Sequence, residues 1–186
     1  MTKQIPDTDT LRQLLHFIPE TGRLFWRERG PEWFTDGRYP AARSAASWNT
    51  RYAGKEAFTS IDGTGYRQGS IFNHMHRAHR VIWRMVHGVW PQDTDHINGI
   101  RTDNRIVNLR NVSRTENMRN AARPNTNTSG SIGICWDKSA GKWQAQITVD
   151  GRNRHLSYFS DKADAIAARK AAEIEHGFHE NHGRLV

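Results

Sequence analysis

Between residues 95 and 120 the chain reads DHINGIRTDNRIVNLRNVSRTENMRN, in which an acid and an imidazole stand side by side at Asp95 and His96. Asparagines and arginines are the commonest residues after that pair, with no apolar run long enough to build a core. An imidazole that titrates near neutrality can take a proton from water, provided that a second group fixes the orientation of its ring. Carboxylate and carboxamide oxygens suit a hard cation that keeps several waters, magnesium before zinc. Arg101, Arg105, Arg110, Arg114 and Arg119 are the groups that phosphate contacts require. The alternative reading of the same arginines is an ordinary solvated face, and that of an isolated Asp-His pair is a turn acid beside a surface histidine.

The elements that must position these groups can be read nearby. Asn98-Gly99 marks a turn after His96, and NLRNV at 108–112 reads as a short strand. Ser113 and Glu116 then form a capping box that opens a helix. With Ser113 as N-cap, Asn117 falls at N4, where an apolar partner for Val112 would be usual, so the amide has a task beyond helix stability. If the Asp95-His96 strand pairs with the Asn108 strand and the helix packs on that hairpin, the oxygens of Asp95 and Asn117 converge.

With 186 residues, 36% hydrophobic and 25% charged, the chain has the composition of one globular domain or two small ones. Its 27 Lys and Arg against 19 Asp and Glu leave a formal charge of +8, which favours a polyanionic partner. The opening residues lack the apolar stretch of a secretory signal, and no window approaches the roughly 20 apolar residues needed to span a bilayer. We therefore expect a cytoplasmic protein without membrane contact. A single cysteine, Cys135, excludes an internal disulfide and zinc sites built on paired thiolates.

Elsewhere, Leu11, Leu14, Leu15 and Ile18 lie at helical spacing, with Thr8 or Thr10 as N-cap. GRLFWRER reads as a strand, and EAFTSIDGTGYRQGSIF as two strands around the Asp62-Gly63 turn. Val81, Ile82, Met85 and Val86 stripe a helix that Gly88 and Pro91 stop. Residues 123–130 read as a linker. After it, Trp143, Ala145, Ile147 and Val149 alternate with polar residues in a strand that turns at Asp150-Gly151. Partner strands flank it, and a helix comes next with Ala163, Ile166, Ala167, Ala171 and Ile174 on one face. The tail after Gly177 is expected to fray. The fold class is α+β: a β-rich part at 1–78, a core at 79–122, a linker at 123–130, and a three-stranded antiparallel sheet with one helix at 131–186.

The spacing of His96, Asn108 and Asn117, with HRVIWRMVHGVWP upstream, resembles the HNH nuclease motif of the ββα-metal type, and phage homing endonucleases most of all. The resemblance covers about residues 76–120. It implies that His96 is the general base, that Asp95 and Asn117 hold one divalent metal, magnesium or manganese, and that Asn108 braces the loop that orients His96. It also implies 5′-phosphate and 3′-hydroxyl ends. Many members carry a histidine one turn after the last motif position; here Ala121 stands there, which thins the ligand set. Two other histidine groups, His74, His76 and His79, and His176, His179 and His182, bring no acid or thiol in a rigid setting and are not expected to bind metal.

Residues 129–178 resemble the Apetala-type DNA-binding domain of plant ethylene-response factors through Gly133, Trp143, Ala145, Leu156, Phe159 and an alanine-rich helix. That resemblance implies a sheet laid in the major groove, presenting Lys142, Gln144, Gln146, Thr148, Asn153 and His155. Cys135 and Thr148 replace arginines there, so Gln144 or Gln146 would read adenine while Lys138, Lys142, Arg152 and Arg154 hold phosphates. The expected function is a metal-dependent endonuclease acting on double-stranded DNA, one strand per active site, as a monomer or weak dimer with no small-molecule cofactor. The alternatives are a DNA-binding regulator that has lost nuclease activity and a structural RNA-binding protein.

Overall fold

The structure is a computed structural model, and it describes residues 6–185. Five α-helices and eleven short strands are found among them, with the strands gathered into four small sheets, the three-stranded ones antiparallel. The chain divides into two compact units, Met1–Asn111 and Val112–Val186.

In the first unit α1 (Thr8–Leu14) is capped by Asp7, whose side chain accepts the Thr10 N–H. The capping residue is thus neither Thr8 nor Thr10. The expected helical stripe also ends sooner, because the chain turns extended at Leu15 and continues as β1 (Leu15–Ile18). Leu11, Leu14 and Leu15 are buried all the same, since a helix end and a strand start can offer apolar side chains to one core. β2 (Arg23–Trp26) and β3 (Glu56–Ala57) complete the first sheet. Between them lies α2 (Ala41–Tyr52), a helix that the β-rich reading of residues 1–78 omits. Its only buried residue is Ala45, so it carries almost none of the apolar periodicity from which a helix is recognised.

The second sheet joins β4 (Ser60–Ile61), β5 (Arg67–Ile71) and β6 (His74–Arg77) in that order. β6 runs directly into α3 (Ala78–His87), which ends at Gly88 in the left-handed conformation, as the stop signal requires. Ala78, Val81, Ile82 and Met85 join Leu11, Leu14, Leu15, Leu24 and Ile71 in one core. Val86 lies off that stripe and is exposed. Arg12 of α1 donates from Nε and Nη2 to the Met85 carbonyl at 3.1 and 2.6 Å, tying the two helices. Arg80 donates to the Pro91 carbonyl and so holds the connection from α3 to β7 (Asp93–His96). β7 pairs with β8 (Leu109–Val112) as a two-stranded sheet, and Leu109 is anchored in the same core.

The second unit begins before the stretch that reads as a linker. α4 (Arg114–Arg119) carries the full capping box: Glu116 N–H donates to Ser113 Oγ, and the Ser113 N–H and hydroxyl donate to Glu116 Oε2. The Arg119 carbonyl accepts from His179 N–H, that of Ala121 from Gly183 N–H, and Arg123 N–H donates to the Arg184 carbonyl. These backbone pairings join residues 119–123 to the tail. The tail is therefore paired rather than frayed, with Phe178 packed against Ile147, Val149 and Ala172.

β9 (Ile134–Asp137), β10 (Lys142–Val149) and β11 (Arg152–Phe159) form a sheet with β10 central, and α5 (Lys162–Glu175) covers one side. The covered face of α5 is not the expected one. Ala165, Arg169, Ala172 and Glu173 are buried, whereas Ile174 is exposed. An alanine-rich helix marks its buried face weakly, and here an ion pair between Arg169 Nε and Glu173 Oε1 at 3.1 Å, two side chains that composition would place in solvent, occupies it. Arg169 also donates to the Gln146 carbonyl at 3.0 Å, pinning helix to sheet.

Candidate active site

The loop from His96 to Asn108 is held by amides. Asn108 Oδ1 accepts the Asn98 N–H at 3.0 Å, while Asn108 Nδ2 donates to Asn98 Oδ1 at 3.0 Å and to the Asp103 carbonyl at 2.8 Å. Ile97 N–H donates to the Asn108 carbonyl, and Gly99 N–H to the His96 carbonyl. Gly99 takes φ of +74°, a conformation that a side chain would strain. Asn98 adds a bond from Nδ2 to Asp103 Oδ2. The loop closes on itself through side chains because it has no ladder of its own.

Asn104 is a further side chain at this loop, one that spacing does not single out. It is 1% exposed, and its Oδ1 lies 3.0 Å from His96 Nε2. An amide oxygen only accepts, so with Oδ1 turned to the ring the tautomer that fits has its proton on Nε2 and its lone pair on Nδ1. Burial pushes the imidazole pKa of His96 down, against the opposing pull of the Asn104 bond and of Asp95 and Asp103. The lowering favours the neutral ring, which is the state a base requires. His96 is itself 3% exposed, so a reacting water or phosphate must displace part of its cover.

Two further rings line this imidazole. His79 meets His96 edge-on at 5.1 Å between centroids, and Tyr66 lies 4.8 Å from His79 and 5.7 Å from His96. Burial, reinforced by His96, lowers the His79 pKa to about 3. Arg77 and Arg101 reach over the Tyr66 ring at 4.5 and 5.3 Å. The turn before β2 also abuts the loop: a Cβ on Gly22 would fall 2.4 Å from the backbone nitrogen of Arg105, so only glycine fits there.

Asp95 is buried and accepts two bonds at Oδ2 from Arg110, from Nε at 2.8 Å and Nη2 at 2.6 Å. An acid, an oriented neutral imidazole and an amide-braced loop are thus assembled within 16 residues of chain, 95–110.

Comparison with known proteins gives this arrangement its family. A model of the HNH endonuclease domain matches residues 76–119, the middle of the chain rather than its N-terminal part. Protein 3.8 of Escherichia phage T7 is 32% identical over 82 residues, which is 43% of this chain and 68% of that one. The chain belongs to the family of T7 protein 3.8 and carries an HNH endonuclease domain. No solved structure matches.

An HNH domain implies DNA as substrate and a divalent metal. Among the described residues no group of three or more His, Cys, Asp and Glu side chains is placed to hold a metal ion. The donors that the motif offers, a carboxylate at Asp95 and a carboxamide at Asn117, are oxygens, and this chemistry fits a hard cation that completes its shell with water and phosphate. Asn117 lies on α4, in the second compact unit.

The arginines expected on phosphate are placed unequally around the HNH motif. Arg110 is committed to Asp95, Arg105 to Asp103 at 2.6 Å, and Arg101 donates to the Thr64 carbonyl. The bond from Arg105 holds the Asp103 carboxyl down to about 2. Arg119 pairs with Asp150 at 3.2 Å, and Arg114 is exposed. In the C-terminal sheet the register puts Gln144, Gln146, Thr148, Asn153 and His155 on one face, with Lys142 at its end. Arg152 pairs with Val149 and Arg154 with Ile147, so both belong to the opposite face, that of α5. Lys138 sits in the exposed turn after β9. Of the four cations expected on phosphate, Arg152 and Arg154 thus lie on the side away from Gln144 and Gln146, because residues directly opposite in an antiparallel pair share a face.

Proposed function

We propose that this chain is a divalent-metal-dependent endonuclease on double-stranded DNA, with His96 as general base. The observation that supports it best is the buried bond between His96 Nε2 and Asn104 Oδ1 in a loop braced by Asn108. It supports a tautomer with the lone pair on Nδ1 and restrains the ring, and both favour proton abstraction. In the proposed reaction Nδ1 takes a proton from water as the oxygen attacks phosphorus. The bond to the 3′ oxygen breaks and that oxygen takes a proton from a second water, leaving 5′-phosphate and 3′-hydroxyl ends. A divalent cation, magnesium or manganese, held by Asp95 and Asn117 would neutralise charge developing on the phosphate and the leaving oxygen. The assignment of Asn117 rests on the motif spacing.

For the grip on DNA, Arg114, Lys138 and Lys142 are exposed cations available to phosphates, and Gln144, Gln146 and Thr148 face outward together to meet base edges. The major-groove sheet of the Apetala-type modules and the homing-type nuclease remain parts of this proposal that rest on sequence resemblance. A second reading, a DNA-binding regulator that does not cut, is favoured by the burial of His96.

A plasmid-nicking assay with magnesium separates the two. Wild-type protein should nick supercoiled plasmid, and His96→Ala should bind DNA equally while losing about a thousandfold or more in rate. Equal nicking by both proteins would remove His96 from the mechanism. DNA binding by both with nicking by neither would establish the regulator.

A further inference from the structure

The stretch from Pro31 to Tyr52 takes part in none of the chemistry above, yet it builds a cavity of about 420 Å³. Phe34, Tyr39, Trp48 and Tyr52 give it four aromatic walls, and Arg43 and Arg51 stand at its rim. Trp48 and Tyr52 lie 5.2 Å apart between centroids, and the Arg43 guanidinium lies 4.4 Å over Tyr39. Arg38 reaches Tyr39 from 5.5 Å. Tyr39 and Tyr52 remain 44% and 39% exposed, a large aromatic area to leave in water.

The charge around these rings has one sign. No carboxylate lines the cavity, and α2 contains no Asp or Glu. Of the acids that flank α2 in sequence, Asp36 accepts the Ala41 N–H at 2.7 Å and Glu56 is paired with Arg67 at 2.7 Å. Guanidiniums that make no ion pair among the described residues, set beside exposed aromatic faces, suit a ligand that is anionic and flat at once. A nucleic acid strand is such a ligand, but only where its bases are unpaired, since paired bases cover their faces by stacking on neighbours. Duplex DNA could offer this surface its phosphates and nothing to the rings.

We infer that the α2 cavity is a binding site for single-stranded DNA, in which an unpaired base stacks on Tyr39 or Tyr52 and the flanking phosphates meet Arg43 and Arg51. The site is separate from the His96 loop in sequence and chemistry, and it stands whether or not the protein cuts.

The test is binding in a His96→Ala background, so that cleavage plays no part. The probes are a labelled oligothymidine of roughly 15 nucleotides and a blunt duplex of the same length, followed by anisotropy at several salt concentrations. Tyr39→Ala with Tyr52→Ala should weaken oligothymidine binding about tenfold or more and leave duplex binding nearly unchanged, while the paired Phe substitutions keep the affinity. Arg43→Ala with Arg51→Ala should weaken it too, and should flatten its salt dependence by about one and a half logarithmic units per decade. All of these side chains are solvent-accessible, and the thermal midpoint of each variant checks that it folds. If the Tyr→Ala pair proves unfolded, the Arg pair decides. Unchanged oligothymidine affinity in a folded Tyr→Ala or Arg→Ala pair overturns the inference, as does an equal loss on the duplex. None of these outcomes bears on nicking, so failure here is distinguishable from failure of the nuclease reading.

Discussion

In the loop between His96 and Asn108, an imidazole and two carboxamides are each at most 6% exposed, and their hydrogen bonds span 2.8 to 3.0 Å. On the outer face of the C-terminal sheet the same chemical groups make bonds of similar length. Gln144 Nε2 lies 3.1 Å from His155 Nδ1, and Asn153 Nδ2 donates to Gln146 Oε1 at 2.8 Å, but these side chains are half-buried or exposed. Distance does not separate the two regions; water does. Away from solvent a lost partner leaves a polar group unsatisfied, so each bond fixes a geometry and a tautomer. At the surface water replaces a lost partner at little cost, so those amides can release one another and bond to something else. One arrangement suits chemistry that needs a fixed ring, and the other suits recognition.

The largest test of this contrast is Asn104→Leu. It keeps the volume roughly constant but leaves the proton on His96 Nε2 without an acceptor, which should cost about 1–3 kcal/mol of stability. Under the nuclease proposal nicking should also fall about a hundredfold, in kcat rather than in DNA affinity. A variant with wild-type kcat would mean that Asn104 does not position the base. Next, Arg169→Met in the second unit should cost about 3 kcal/mol in urea unfolding, since Glu173 would stay buried with Lys170 and the His182 ring, 3.9 Å away, in place of the guanidinium. A loss below about 0.5 kcal/mol would show that the buried pair contributes no more than the surface amides.

The pH dependence of stability should come next. His79 has a folded pKa of about 3 against an ordinary 6.5, so between those values the unfolded chain binds a proton that the folded chain refuses. Stability should therefore fall as pH drops from about 6.5 towards 3, and His79→Leu should flatten that slope in thermal melts between pH 7 and pH 4. The smallest effect belongs to the sheet: Gln144→Ala and Gln146→Ala should each change stability by less than about 0.5 kcal/mol. If either costs more than 1 kcal/mol, the outer face is structural and the contrast with the loop fails.

The parts legible in the chain are those set by neighbours in sequence. Ser113 and Glu116 spell a capping box, Gly88 a helix stop, and Asp150-Gly151 the turn between β10 and β11. The alternation from Trp143 to Val149 marks the strand that becomes the centre of its sheet. Asn108 is identified by spacing, and its bonds to Asn98 and Asp103 hold the loop. Asn104 has no such mark, because an asparagine beside an aspartate reads equally well as a turn. α2 escapes a search for apolar stripes because its surface is aromatic and basic instead of apolar on one side. The tail reads as free because its partners, Arg119, Ala121 and Arg123, are distant in sequence.

By itself the sequence determined the charge, the secondary-structure punctuation and the order and spacing of acid, imidazole and amides, since each depends on residue type or on residues a few positions away. Tertiary structure alone decided that Arg110 lies on Asp95, that Asn104 holds His96, and that a guanidinium and a carboxylate displaced alanines and Ile174 from the buried face of α5. Those outcomes depend on which polar groups lose water together, and desolvation is a property of the assembled fold that no local pattern encodes.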